Sequence, residues 1–212
     1  MKFNDSLPYS QASENNKIAI LKVFEQHLKG SSTLLEIGGG TGQHAAFFSD
    51  IFRTIHWQST DITSNVDLLN LRILQTNLSN LPQATTLDVN QADWKLKDET
   101  DENVKNRKFD SIFTANSLHI MSASSVESFF QGIARHLRAS GLLLVYGPFK
   151  YSGSFTSKSN ALFDQWLKDK DPVSGIRDFE WINTIAKTNS LQLIEDNAMP
   201  ANNQMLVWTK FE

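Results

Sequence analysis

The chain has 212 residues, 40% of them hydrophobic, with 20 Lys and Arg against 23 Asp and Glu for a net charge of -3. That length suits one domain with a single sizeable core, residues 1–212, and the near balance of charge offers no global basic field for nucleic acid. The absence of cysteine rules out disulfides, a thiol nucleophile and Cys-ligated zinc. The polar start from Met1 to Gln11 has no signal-peptide run, and nowhere do about 18 apolar residues run together. A cytoplasmic protein with neither a membrane nor a nucleic-acid partner is therefore expected.

Residues 1–13 read as irregular. From Glu14 to Leu28 the residues Ile20, Leu21, Phe24 and Leu28 recur at helical spacing, and Gly30 ends the helix. Its polar start, Glu14-Asn15-Asn16-Lys17, is either a solvated helix end or a cover over a bound ligand. Next comes Thr33-Leu34-Leu35-Glu36-Ile37, a glycine cluster and Ala45 to Ile51, which together predict strand, tight turn and helix. A dinucleotide fingerprint G-x-G-x-x-G would put its third glycine at position 43, where this chain has Gln43. The pattern is instead Glu36-x-Gly38-x-Gly40-x-Gly42. A carboxylate two residues before the first glycine repels a pyrophosphate but accepts hydrogen bonds from an α-ammonium group. This stretch resembles motif I of class I S-adenosylmethionine-dependent methyltransferases, which makes Glu36, Gly38, Gly40 and Gly42 candidate cofactor residues. His44, in the first helical turn, either touches the cofactor's carboxylate or caps the pocket.

Thr54 to Thr60 reads as a second strand ending in Asp61, placed to accept two ribose hydroxyls. A helix from Asn65 to Asn77 follows. A third strand near Ala84 to Leu87 ends at Asp88-Val89, where an acid is positioned for the adenine amine. Ten of the sixteen residues from Asp93 to Lys108 are charged with mixed sign, the mark of a solvated loop. Trp94 at its edge either packs on the adenine or anchors the loop. Phe109 to Ala115 is the fourth strand and runs into Asn116-Ser117-Leu118-His119-Ile120. Ligands of open α/β sheets sit outside the carboxyl ends of strands, so Asn116 and His119 are expected beside the reacting methyl.

In the next helix Ser124 and Glu127 form a capping-box pattern, and Val126, Phe129, Phe130, Ile133, Ala134 and Leu137 trace one apolar face up to Gly141. Leu142 to Tyr146 has the continuous apolar character of a strand buried on both sides. Beyond Gly147-Pro148 a Ser/Gly-rich segment, Tyr151 to Ser159, leads to a helix carrying Leu162, Phe163, Trp166 and Leu167, stopped by Asp171-Pro172. A helix from about Asp178 to Thr188 and a final strand pair around Met199 to Asn203 complete one doubly wound α/β domain without internal repeats.

Several segments taken together are similar to the methyltransferase-like protein 26 family, a domain-of-unknown-function family of class I methyltransferases. They are Leu35 to Ala45, Asn116 to Ile120, Tyr146-Gly147-Pro148, Ser159-Asn160 with Phe163-Asp164, Gly175 to Asp178, and Met199-Pro200-Ala201-Asn202-Asn203. The chain departs from that pattern at Asn15, where similar proteins usually have Arg, and at Ala19, where they usually have Pro. The resemblance implies a Rossmann-like α/β fold, with a seven-stranded mixed sheet in order 3-2-1-4-5-7-6, strand 7 antiparallel and helices on both faces. It also implies S-adenosyl-L-methionine as cofactor.

These residues lead to the expectation of a methyltransferase acting on a small polar molecule. The cofactor residues are Glu36, Gly38, Gly40, Gly42, His44, Asp61, Asp88, Val89 and Asn116, and no metal is expected. His119 and Tyr146 are the catalytic candidates, His119 either as a base or as a satisfied histidine holding its loop. The substrate-side set is Asn160, Asp164, Arg177, Asn202 and Asn203, with an ion pair from Arg177 to Asp178 or Asp164 as the structural alternative. A non-catalytic S-adenosylmethionine-binding or scaffold protein would keep the same cofactor-side residues.

Overall fold

The computed structural model describes residues 7–96 and 107–211, so most of the charged loop expected between Asp93 and Lys108 lies outside the described residues. The first strands and helices follow the apolar pattern closely. Helix α1 (Gln11–His27) is capped by Ser10, whose hydroxyl accepts from the Ser13 N–H, and it buries Ile20, Val23 and Phe24. Strand β1 (Thr33–Ile37) leads to α2 (Gln43–Ile51), β2 (His56–Asp61), α3 (Thr63–Thr76) and the two-residue β3 (Thr85–Thr86). Then come β4 (Phe109–Ala115), α4 (Ala123–His136), β5 (Leu137–Gly147), β6 (Phe149–Tyr151), β7 (Ser154–Phe155), α5 (Lys158–Lys170) and β8 (Arg177–Asp178). The chain closes with α6 (Phe179–Thr188), β9 (Leu191–Met199), a 3₁₀ turn over Pro200–Asn202, and β10 (Asn203–Lys210).

Seven strands form one sheet in the order β3-β2-β1-β4-β5-β10-β9, in which β10 runs antiparallel to both neighbours. This is the expected order, with β9 and β10 as sixth and seventh strands. Strands β7, β6 and β8 make a second, three-stranded sheet.

The chain divides into two compact units, Met1–Leu87 and Asp88–Glu212. In the first, Phe24, Phe48 and Trp57 are fully buried, with Phe24 and Phe48 centroids 4.7 Å apart and Phe48 stacked on Trp57 at 5.8 Å. Each such ring contributes roughly 2 to 3 kcal/mol by leaving water. In the second, Phe129, Phe130 and Ile133 of α4 are fully buried, and Phe130 meets Trp208 of β10 edge-on at 6.0 Å.

Three local features differ from the sequence reading. The cap of α4 is Ser122, which accepts from the Ser125 N–H at 3.1 Å, and not the Ser124/Glu127 pair. That helix stops at His136, because Leu137 already pairs with Phe109 and the chain bulges before Leu142 pairs with Ser111. Gly141 sits in the bulge, where a Cβ would lie 2.9 Å from both the Arg138 and Asp110 carbonyl oxygens, so close strand approach and not helix termination explains it. The Ser/Gly-rich segment is a hairpin: Ser152 and Gly153 have φ of 48° and 74° between β6 and β7, the positive pair of a two-residue turn.

Candidate functional site

In the first unit the carboxyl end of β1 becomes a loop held by side chains from β2. Glu36 is 2% exposed, and its Oε2 accepts from Ser59 Oγ at 2.6 Å and from Trp57 Nε1 at 3.1 Å. Its Oε1 receives no hydrogen bond among the described residues. Burial raises the Glu36 carboxyl above the usual carboxylate range, while the bonds from Ser59 and Trp57 pull it down. The charged neighbour that acts on the Glu36 carboxyl is the like-charged Asp61, so Oε1 is free to accept from a further donor.

The backbone beyond Glu36 is built for close approach. Gly38, Gly40 and Gly42 have φ of 76°, 55° and 74°. Gly39 is dictated by packing, since a Cβ there would lie 2.4 Å from Ser59 Oγ, the group that orients Glu36. Asp61, at the end of β2, is 7% exposed. It accepts from the Gly40 N–H at 2.7 Å on Oδ2, and from the Ile62 N–H at 2.8 Å and Asn65 Nδ2 at 3.0 Å on Oδ1. It therefore fixes the glycine loop; Oδ1, with two donors, is filled, and Oδ2, with one, keeps an acceptor position.

Helix α1 and α3 brace the same loop. Gln43 Oε1 accepts from the Ser10 N–H and from Thr41 Oγ1 at 3.0 Å. Arg72 of α3 donates from Nε to the Thr41 carbonyl at 2.7 Å and from its terminal nitrogen to the Pro8 carbonyl. His44 is 6% exposed; its Nε2 lies 2.7 Å from Asn16 Oδ1 and its ring stacks on Phe48 at 5.5 Å. Desolvation lowers its pKa to about 4. The imidazole thus ties α2 to α1, which makes the N-terminal helix part of the loop's support. Arg72 was not anticipated; its signal was a single guanidinium in the leucine-rich run of α3.

In the second unit the carboxyl end of β4 carries the candidate chemistry. Asn116 has φ of 57° and donates its N–H to the Tyr146 carbonyl at 2.8 Å. A Cβ on Gly147 would lie 3.8 Å from His119 Nδ1 and 3.9 Å from Asn116 Oδ1, so Asn116, His119 and the end of β5 form one cluster. His119 is 5% exposed and meets Phe163 edge-on at 5.3 Å. Burial first, then the nearby Arg177 charge, lowers its pKa to about 4, leaving a neutral imidazole at pH 7. Tyr146 is 3% exposed, in the middle of the β4–β5–β10 pairing.

Of the expected substrate-side residues, Arg177 braces the loop that carries His119, and the others hold the segments around them. Arg177 donates to the backbone carbonyls of Leu118, Met121 and Val173, so its hydrogen bonds go to main-chain groups, while of the two acids considered from sequence Asp164 acts on it through its charge. Gly175 N–H donates to the His119 carbonyl at 2.9 Å, and Ser174 Oγ to the Ile120 carbonyl at 2.9 Å. Asp164 accepts from the Ile176 N–H at 2.7 Å and from Lys168 Nζ at 2.6 Å. Asn160 donates to Thr156 Oγ1 and the Asn202 carbonyl, both at 2.9 Å. Asn202 Nδ2 reaches Ser159 Oγ at 3.4 Å, and Asn203 Nδ2 the Pro200 and Ala201 carbonyls at 3.1 and 3.3 Å.

Asp88 and Val89 open the second unit. Asp88 Oδ1 accepts from the Asn90 N–H at 2.9 Å and from Asn90 Nδ2 at 3.0 Å, a local turn that leaves Oδ2 without a hydrogen bond among the described residues. Val89 is buried. Of the two readings of Trp94, the structure shows the anchor. It is 2% exposed, lies parallel to His136 at 5.1 Å, and fills a notch where a Cβ on Gly132 would come within 1.8 Å of its ring. Among the described residues no group of three or more His, Cys, Asp or Glu is placed to hold a metal, and no helix is long and apolar enough to cross a membrane.

The strand order with its antiparallel β10 and surrounding helices defines a Rossmann-like methyltransferase fold. It matches the apo structure of the S-adenosylmethionine-dependent methyltransferase SibL with a TM-score of 0.75 at 14% identity, over 95% of this chain and 56% of that one. A putative O-methyltransferase from Nostoc punctiforme PCC 73102 matches at 0.76 and 15%, over 93% and 56%. Human N-acetylserotonin methyltransferase in complex with SAM matches at 0.74 and 14%, over 95% and 53%. The chain spans little more than half the length of these structures. It belongs to the family described as Protein of unknown function (DUF938), whose family model matches residues 7–210.

Proposed function

We propose that the chain is an S-adenosylmethionine-dependent methyltransferase acting on a small molecule, within the methyltransferase-like protein 26 group that the sequence motifs resemble. The observation that carries this reading is Glu36: a buried carboxylate oriented by Ser59 and Trp57, with Oε1 open, at the mouth of a glycine loop whose φ angles clear space for a ligand. Such a group suits an amino-acid ammonium and repels a pyrophosphate. Asp61 suits the ribose diol, and Asp88 Oδ2 the adenine amine.

S-adenosylmethionine, when bound, supplies an electrophilic methyl on a sulfonium, whose departure leaves a neutral thioether. The chain's own residues have alignment and one proton to manage. His119, neutral at pH 7, accepts the proton of an acceptor that arrives protonated, and Arg177, Gly175 and Ser174 hold the His119 loop through its carbonyls. The polarity expected of the acceptor then centres on its nucleophilic end, because the Asn160 amide and the Arg177 guanidinium are spent on internal bonds.

Calorimetric titration with S-adenosylhomocysteine tests the reading, with NAD as the control. Binding of the thioether that is lost in Glu36→Gln supports it, and tight NAD binding with no response to S-adenosylhomocysteine ends it. Binding without methyl transfer to any fraction of a small-molecule extract, followed with a tritiated methyl donor, would leave a scaffold protein.

A further inference from the structure

Beside His119 the Asn116 amide is the polar side chain without a hydrogen bond among the described residues, and the large side chains left open further out are apolar. Arg177, Asp164 and Asn160 donate to or accept from neighbouring groups of their own unit. A polar acceptor would have to displace those bonds, each removal costing the desolvation of a buried group. Beside them runs a row of rings that starts at the imidazole and ends in solvent. His119 is 5% exposed and meets Phe163 edge-on at 5.3 Å; Phe163 stacks on Trp166 at 5.8 Å with 17° between planes, and Trp166 is 54% exposed. Leu162, one helical turn before Trp166 on α5, is 73% exposed, and Ile120, next to His119, is 59% exposed. Large side chains left open in this way gain about 25 cal/mol for each Å² that a ligand covers.

We propose that this row seats the methyl acceptor, and that the acceptor is a small aromatic molecule whose ring lies against Phe163 and Trp166 while its hydroxyl or amine points at His119. The inference rests on the methyltransferase reading. In the transfer, the acceptor's heteroatom forms its bond to the methyl carbon as the donor's sulfur–carbon bond breaks. The bonding pair stays on sulfur, and the heteroatom's proton passes to the imidazole and on to water. Lys170, whose ammonium sits 5.4 Å from the Trp166 ring centre, marks the outer edge of the row and favours an electron-rich ring there.

The probe is 2-naphthol, titrated by its own fluorescence against wild type, Phe163→Ala, Trp166→Ala and Trp166→Phe, with S-adenosylhomocysteine affinity measured on the same samples. The expected result is saturable naphthol binding that weakens at least about 10-fold in both alanine variants and returns in Trp166→Phe, with S-adenosylhomocysteine affinity unchanged throughout. Trp166 is half exposed on a helix, so Trp166→Ala remains folded even if Phe163→Ala does not. Equal naphthol affinity in wild type and Trp166→Ala overturns the proposal. So does a change of sedimentation coefficient in Trp166→Ala without a change in naphthol binding, which would make the face a protein contact. Trp166-dependent naphthol binding by a protein that ignores S-adenosylhomocysteine overturns the acceptor role through failure of the methyltransferase reading, and is distinguishable from the other two.

Discussion

Glu36 and His119 are both removed from water, with opposite consequences for pH. Burial raises the Glu36 carboxyl, so the folded state holds more protons than the unfolded chain above the ordinary value of 4.5, and this group's contribution to stability falls as pH rises through that window. Glu36→Gln should flatten that slope in urea unfolding measured from pH 4.5 to 8. The same change should weaken S-adenosylhomocysteine binding roughly 10- to 100-fold, the worth of a charged over a neutral hydrogen bond. Stability and affinity moving apart is the signature of a carboxylate kept for a ligand; a parallel loss of both would make it structural. For His119, a pKa of about 4 places the acid limb of kcat/KM near pH 4 and not 6.5. His119→Asn should lower kcat by about 10²- to 10⁴-fold with cofactor affinity intact, as its loop is held through main-chain carbonyls that the substitution keeps. An acid limb that stays near 4 in the variant would assign the proton elsewhere.

At the scale of elements, the glycine loop and the α4 notch follow one rule: a missing Cβ admits a side chain that does something. Gly132 admits Trp94, which pins the segment after Asp88-Val89 under α4. Gly132→Ala should destabilise the fold by about 1 to 3 kcal/mol through overpacking and shift tryptophan emission to the red. Trp94→Ala, which leaves a cavity, should cost about 3 to 5 kcal/mol. The double variant should be more stable than the sum of the two costs, since the added methyl enters the vacated space. Thermal unfolding of the four proteins measures the coupling, and strict additivity would mean that the two residues do not share that space.

For the molecule as a whole, acid should be the vulnerable side. His44 in the first unit and His119 in the second each have a folded pKa of about 4, below the ordinary 6.5. A depressed imidazole contributes stability that is present above 6.5 and is lost as pH falls through 6.5 toward 4. Each accounts for about 3 kcal/mol at neutral pH. Because the two sit in separate units, both should soften together. His44→Gln should reduce the loss of urea midpoint between pH 7 and 4.5, and an unchanged loss would show that His44 is not the proton acceptor.

The sequence by itself determined where most strands and helices of this protein lie and marked the glycine loop after β1. Apolar runs bounded by glycine and proline placed the strands along the chain, the family resemblance implied their order in the sheet, and Glu36-x-Gly38-x-Gly40-x-Gly42 with Asp61 is a local pattern whose chemistry travels with its residues. Helix α4 was legible through its apolar face but not its ends, because Ser124 and Glu127 match a capping box while backbone geometry makes Ser122 the cap. The roles of Ser59, Arg72, Asn160, Asp164 and Arg177 were decided only by tertiary structure. Ser59 reaches Glu36 through the β1–β2 register, and Arg177 reaches the Leu118 carbonyl 59 positions away. A polar side chain in sequence announces a capacity for hydrogen bonds. Which partner uses it, a ligand or the chain's own main-chain carbonyls, depends on long-range packing that no spacing encodes.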